Sequence, residues 1–375
     1  MQLLEQFWCV TLRILQVYPI SMMVRGGGVG EHVWNIAVRL AKRHDVTLFG
    51  LNPNGKYPRC EVVDGVKVER FRHFYPSDSY FFSLELLLRL RQFEFDVVHG
   101  HGYHAFPMHF AALAKCKRFV VTTHFHGEGH SSFRDSLFRL FRPLGGLTLR
   151  KADVVVAVSE FEKCLLCEKF KLDLDKVVVI PNGVDLDEFK GLKRRNRGFR
   201  SMLYVGRLEW YKGVHYLVEV LPKLPRDVVL EIVGKGSLRG YLEERARRLG
   251  VLDRVFFYQD LPRCELLQKY VDADVFVLLS RFEAYSIVVA EALIAGTPCI
   301  VANSSALSEW IDDESCFGVD YPIEPGRLEE TISRVLDNMI QGKVATKKLV
   351  NVKILDWDDV VRRLENVYHE SETES

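Results

Sequence analysis

Two glutamates, Glu283 and Glu291, stand eight residues apart in the otherwise apolar or small-residue stretch SRFEAYSIVVAEALIAGTPCIVA, Ser280 to Ala302. Between them the sequence passes from loop chemistry to helix chemistry, which suggests a ligand site at a helix start. Glu291 lies about one turn into a helix expected over Ile287 to Ala295, among Val288, Val289, Ala290, Ala292, Leu293 and Ile294. A carboxylate so surrounded needs a hydrogen-bonding partner, or its desolvation costs on the order of several kcal/mol. A ribose diol would supply two hydroxyls; pairing with a core arginine, or escape to solvent, would serve as well. Ser286 is placed to cap this helix, and Gly296, Thr297 and Pro298 end it. The first amides of a helix and its positive end suit phosphate, so Ser286 and Ile287 are expected to meet a nucleotide diphosphate.

Two cations have a complementary placing. Arg207 and Lys212 stand five residues apart in GRLEWYKG, in a loop that follows an apolar strand, with Gly206 and Gly213 flanking them. They can converge above a strand end and neutralise a departing diphosphate, although an isolated pair at this spacing is more often a surface feature. Gly234 and Gly236 repeat the strand, glycine turn, helix unit and are expected near the same nucleotide.

Histidine is concentrated earlier, at His99, His101, His104 and His109 and again at His124, His126 and His130. Imidazoles at strand ends are common zinc ligands, so His99, His101, His124 and His126 could serve a metal-dependent hydrolase. No carboxylate-rich strand end offers the remaining ligands, and no metal is expected. Strand alternation would point His124 and His126 the same way. Cys164 and Cys167 form the one CxxC, on a helix and without the second pair a zinc site needs.

The elements that must hold these groups are legible as alternating strands and helices. RILQVYPI, a loop with Gly26, Gly27, Gly28 and Gly30, and VWNIAVRLAKRH open the chain as strand, glycine loop and helix. DVTLFGLNP, VKVERFRH, DVVHGHG, RFVVTTHFH, ADVVVAVS and KVVVIPNGV follow as strands with room for helices between, implying a doubly wound parallel sheet. The polar, basic run GLKRRNRGFR reads as a linker over 191–200, between a domain over 1–190 and a second over 201–352. Residues 353–375 read as an amphipathic helix beginning near Trp357, with a disordered tail.

The totals agree with this and narrow the function. A chain of 375 residues has room for two cores. A formal net charge of +1 gives no reason to expect nucleic acid. No run is apolar enough to span a membrane, and MQLLEQFWCVT makes a poor signal peptide, so a cytoplasmic protein is expected. The stretch from Arg134 to Lys151, with Arg139, Arg142 and Arg150, is amphipathic and basic. It could rest on an anionic membrane at the inner face, or be a domain helix with a solvated basic side.

Taken in order, GGGVGEH, TTHFHG, IPNGVD, GRLEWYKG and the E-x7-E of Glu283 and Glu291 resemble the motifs of retaining nucleotide-sugar glycosyltransferases of family 4, the group 1 family. The resemblance runs from Leu12 to Tyr368. It implies the GT-B fold: two doubly wound Rossmann-like domains facing a cleft, with the C-terminal helix crossing back to the first. It further implies hexosyl transfer from a nucleotide-diphosphate sugar of UDP, GDP or ADP type to a carbohydrate, glycolipid or small-molecule acceptor, without a required cofactor. Gly27 and Gly28 would lie beside the donor phosphates, Arg207 and Lys212 would hold the leaving diphosphate, and Glu291 would grip the ribose. Glu283 would orient the donor sugar, and His124 would meet its C6 side or the charged anomeric centre. The sequence departs from the family where E-G-F-G becomes Glu283, Ala284, Tyr285, Ser286, and where NSSALSEWI keeps only Glu309 of a glycine-rich segment. A further departure is Tyr258, Gln259, Asp260, where the family usually has a glycine. A GT-B epimerase using the same fold is the other reading; it would need no acceptor.

Overall fold

A computed structural model describes residues 10–19, 28–52, 55, 57–73, 82–127, 132–341 and 354–369. The chain divides into two units, one of Met1–Gly183 with Leu355–Ser375, the other of Val184–Ile354.

The first unit runs β1 (Arg13–Val17), α1 (Gly28–Leu40), β2 (Asp45–Leu51), β3 (Cys60–Val63), β4 (Val66–Phe71), α2 (Leu84–Leu90), β5 (Glu94–His101) and α3 (Phe106–Ala111). It continues with β6 (Lys115–Thr122), α4 (Ser132–Lys151), β7 (Val154–Ala157), α5 (Glu160–Phe170) and β8 (Val177–Val179). The sheet order is β3-β4-β2-β1-β5-β6-β7-β8, and all pairs are parallel except β3 with β4. Successive strand residues face opposite layers. Leu15, Val98 and Val121 join the core under α3, α4 and α5, while Ile14, Val97 and Val120 join the core under α1. Strand order reverses at β1, which pairs with β2 on one side and β5 on the other. Such a switch point opens a crevice at the carboxyl ends of the strands. Gly28 opens α1 at that edge, His101 ends β5 there, and His124 follows just past the end of β6.

The second unit begins at the junction strand β9 (Gly183–Val184) and runs β10 (Arg200–Val205), α6 (Val214–Val220), β11 (Val228–Val233), α7 (Arg239–Arg248), β12 (Val255–Tyr258) and α8 (Arg263–Asp272). It ends with β13 (Val275–Leu278), α9 (Ile287–Ile294), β14 (Cys299–Asn303), β15 (Cys316–Asp320) and α10 (Pro325–Ile340). Its sheet, β12-β11-β10-β13-β14-β15, is parallel throughout, with its own switch point at β10.

The division of the chain differs from the expected linker over 191–200 and falls at Gly183/Val184. The basic run is tied into the second unit instead. Arg195 Nε donates to Asp272 at 2.8 Å, Arg194 pairs with Asp274, Arg197 with Glu231, and Arg200 Nε donates to Asp227 at 2.7 Å.

After the second unit the chain returns through β16 (Leu355–Asp356) to α11 (Trp357–His369), which packs on the first. Its apolar stripe is Trp357, Val360, Val361, Leu364, Val367 and Tyr368, spaced to one helical face and buried in the core that α1 covers. On the same face the buried carboxylate of Glu365 accepts from Arg43 at 2.6 Å and lies 3.1 Å from His44 Nε2.

Candidate active site

In the second unit the loop after β10 and the loop after β13 lock together at the switch point. Arg281 N–H donates to Tyr211 O at 2.7 Å. Gly213 adopts φ +72°, and a Cβ there would stand 2.3 Å from Leu279 O, so only glycine permits the approach. This places Lys212 Nζ 2.5 Å from Glu283 Oε1, both side chains largely shielded. Arg207 donates to Tyr211 Oη, and the Arg207 and Lys212 cations stand 5.5 and 5.4 Å from the Tyr211 ring centre. The E-x7-E glutamates are thus each partnered by a cation, because Arg263 Nη1 of α8 sits 2.6 Å from Glu291 Oε1. The core-arginine alternative is therefore present at Glu291, and Arg263 also reaches Glu188 at 2.8 Å. Despite burial, Glu291 and Glu188 hold the Arg263 pKa above its ordinary value.

Ser286 occupies the position before α9, yet it does not cap the helix as expected. It has φ +84°, its hydroxyl makes no capping bond, and Oγ is buried with no hydrogen-bond partner among the described residues. Ile287 opens α9, whose first amides lack an intrahelical acceptor. Gly234 takes a structural role: at φ +150°, an added Cβ would stand 1.9 Å from Gly206 O. It is the close packing of the turn after β11 that sets the Arg207 loop.

In the first unit, Gly28 is the exposed first residue of α1, and Gly27 lies outside the described residues. His124 is buried at φ +49°, and its Nε2 has no partner among the described residues. The expected alternation fails because β6 ends at Thr122. There Glu162 Oε1 accepts from Thr123 Oγ1 at 2.5 Å and from Phe125 N–H, while Oε2 accepts from Val158 N–H at 2.7 Å. Pinned on both sides, the chain curls at His124. His124 stacks edge-on against His32 at 4.8 Å, whereas His126 lies beside His104 at 5.0 Å. Burial pushes the Glu162 carboxyl up to about 7, against those three donors.

The rest of the histidine set is divided the same way. His99 is fully engaged, with Nδ1 2.7 Å from Tyr368 Oη and Nε2 2.7 Å from Thr122 Oγ1. His109 bonds Thr148 and Tyr103 O, a satisfied core residue. The four-histidine hydrolase set is therefore not assembled: His99 is spent in the core and His126 turns to another cluster. Burial, with the neighbouring rings, holds His99, His101 and His124 well below the ordinary imidazole range, and burial lowers His32 to about 4. Residue reading missed His32, Glu162 and Tyr368. His32 lies one turn into α1 from Gly28, and Glu162 stands at the fourth position of a capping-box pattern, S-E-F-E; neither signal pointed to these partners.

The basic stretch forms α4, where Arg134 and Arg139 lie outside the described side chains. Arg142 donates to Lys169 O, Arg150 to Phe170 O and Lys151 to Ala112 O, so these three cations serve the fold. Among the described residues no helix is long and apolar enough to cross a membrane. Cys164 is exposed on α5 and Cys167 half-buried; both are free thiols.

Comparison with known proteins accords with this geometry. Residues 26–188 match Glycosyltransferase Family 4 and residues 187–349 match Glycosyl transferases group 1. The chain is 30% identical to a glycogen synthase of Mycobacterium tuberculosis over 95% of its length and 94% of the relative's. Among solved structures, sucrose-phosphate synthase from Thermosynechococcus elongatus superposes with a TM-score of 0.78 at 19% identity, covering 95% of this chain and 98% of that one. The Anabaena protein HepE, solved in complex with UDP and glucose, gives a TM-score of 0.75 at 16% identity, covering 95% and 99%. Two Rossmann-like units with these neighbours make the fold GT-B, and the chain belongs to glycosyltransferase family 4, the group 1 glycosyltransferases.

Proposed function

We propose that this glycosyltransferase moves a hexosyl group from a nucleotide-diphosphate sugar to a carbohydrate, lipid-linked or small-molecule acceptor, with retention at the anomeric carbon. The observation that carries this reading is the Lys212–Glu283 pair, held with Arg207 by two interlocked loops at the switch point of the second sheet. In the reaction the bond from the anomeric carbon to the diphosphate oxygen breaks. The acceptor oxygen forms its bond on the same face, and its proton leaves with the diphosphate. Negative charge grows on the leaving group, where Arg207, Lys212 and the first amides of α9 after Ser286 would meet it. Positive charge grows on the sugar, whose hydroxyls Glu283 would orient.

Glu291 would hold the ribose from beside Arg263, Gly28 would admit the phosphates, and the neutral imidazole of His124 would accept from a sugar hydroxyl or face the anomeric centre. The glycogen synthase relative supports a saccharide acceptor, and the UDP and glucose bound by HepE support a nucleotide-sugar donor.

The test is to supply nucleotide sugars with candidate acceptors and read the anomeric configuration of the product by proton NMR. Retention is expected, and inversion overturns the mechanism. Lys212→Ala should lower kcat/KM by about 10²-fold, with Glu283→Gln lowering turnover more than nucleotide affinity. Unchanged kinetics in both variants would remove the site.

A further inference from the structure

At the carboxyl edge of the first sheet three imidazoles converge from three elements: His32 from α1, His101 from the end of β5 and His124 from the curl after β6. One nitrogen from each lies within 4.8 Å of the other two. All three side chains are more than nine-tenths buried. Among the described residues Nδ1 of His101 and Nε2 of His124 have no hydrogen-bond partner, and His32 has only the Asn182 side chain beside it. Leaving buried polar groups unsatisfied is costly, so a cluster of them in one place calls for a shared occupant.

The surrounding bonds fix which nitrogen His101 presents. Gln16 Oε1 lies 2.5 Å from His101 Nε2 and can only accept, so Nε2 carries the proton and Nδ1 is a bare lone pair. Gln16 is oriented in turn by its own Nε2, which donates to Tyr368 Oη at 3.3 Å, and Tyr368 is anchored on His99. An imidazole locked by an outer hydrogen bond so that its other nitrogen projects as an acceptor is the arrangement of a metal ligand. Distance allows it as well. Three nitrogens at the 4.8 Å limit stand about 2.8 Å from their common centre, against about 2.0–2.1 Å for a zinc–imidazole bond. Each ring need move by no more than about 0.7 Å, within the reach of side-chain rotation. The buried Asn182 side chain lies beside His32, where it can bond one ring nitrogen and leave the other to the ion.

We propose that His32, His101 and His124 bind a single divalent transition-metal ion of the zinc class, and that the bound ion inhibits sugar transfer by occupying the imidazole of His124. The inhibitory half rests on the donor-side reading of His124; the binding half does not.

The full-length protein, stripped of metal, is titrated with Co²⁺ and followed by visible absorption, then with Zn²⁺ against a chromophoric chelator. One equivalent is expected, with the absorption of nitrogen-ligated cobalt. His32→Gln should weaken binding at least about tenfold, and so should Gln16→Ala, which leaves all three ligands in place but frees the His101 ring. His126→Gln, in the other cluster, should leave it unchanged. Absence of a one-equivalent site in the unaltered protein overturns the proposal whatever the variants do, and equal loss in His126→Gln reduces it to adventitious binding. Transferase activity should be full in the stripped protein and fall as Zn²⁺ fills the site. If the ion binds and activity is unaffected, the inhibition and the role of His124 fail while the site stands; if stripped protein is inactive and Zn²⁺ restores it, the inhibitory role is overturned.

Discussion

At the scale of single residues, the second unit is built on carboxylates that are buried only because cations reach them. Glu231 is the strongest case. Burial alone would raise its pKa, but Arg197, Lys269 and Ser201 hold it down at about 2. A carboxylate with a depressed folded pKa stabilises the fold above its unfolded value of about 4.5, and that contribution is lost as pH falls from about 4.5 toward 2. Glu231→Gln should therefore cost about 3 kcal/mol at neutral pH, since Arg197 and Lys269 lose their counter-charge. It should also flatten the acid limb of the stability curve. Urea titrations at pH 7, 4 and 2.5 check this; equal acid slopes for variant and parent would contradict it. The convergence of Arg207 and Lys212 was expected from a glycine-flanked loop after an apolar strand, whereas their partners Tyr211 and Glu283 were not. Nor was the Arg263–Glu291 pair, because its members lie on different helices and nothing in local spacing links them. The same holds for His32, one histidine after a glycine loop, which meets His101 and His124 only through the sheet.

At the scale of elements, the glycine turns act on one another. The turn after β11 sets the loop after β10, since a Cβ on Gly234 would fall 1.9 Å from Gly206 O. Gly234→Ala should displace Arg207 and lower both stability and nucleotide affinity, the first by more than about 2 kcal/mol for a backbone collision at φ +150°. Thermal unfolding and nucleotide titration of this variant decide the matter; full affinity would show that the two turns are independent. The strands were readable as continuous apolar runs because both faces of a parallel sheet are covered. The placing of His124 and His126 was misread for a definite reason. Alternation holds only while a strand lasts; β6 ends at Thr122, and beyond it Glu162, reaching over from α5, accepts from the Thr123 hydroxyl and the Phe125 amide and holds the turned chain.

At the scale of the molecule, the first unit is completed by the last stretch of chain. Trp357, Val360, Val361, Leu364, Val367 and Tyr368 are each almost wholly buried, and at about 2 kcal/mol apiece their burial is on the order of 10 kcal/mol, comparable with the whole stability of a domain. A chain ending before Leu355 should lose the cooperative unfolding transition of its first unit, which calorimetry would register; an unchanged transition would show that α11 is dispensable. That helix was visible as an amphipathic period, and its destination came from family resemblance. The two compact units part before the basic run Lys193 to Arg200, which looks solvated in sequence but whose arginines are matched by aspartates and a glutamate far away in the chain.

The central claim is that the interlocked loops of the second unit form a nucleoside diphosphate site centred on Arg207, Lys212 and the start of α9. Its most direct test is a thermal-shift and calorimetric titration of the metal-stripped full-length protein, and of Lys212→Ala, with UDP, GDP, ADP and TDP. One nucleoside diphosphate should raise Tm, by linkage worth about 2.7 kcal/mol at 100 times its Kd, and Lys212→Ala should bind it at least about tenfold more weakly. A parent protein that unfolds cooperatively yet shows no shift with any of the four would contradict the account.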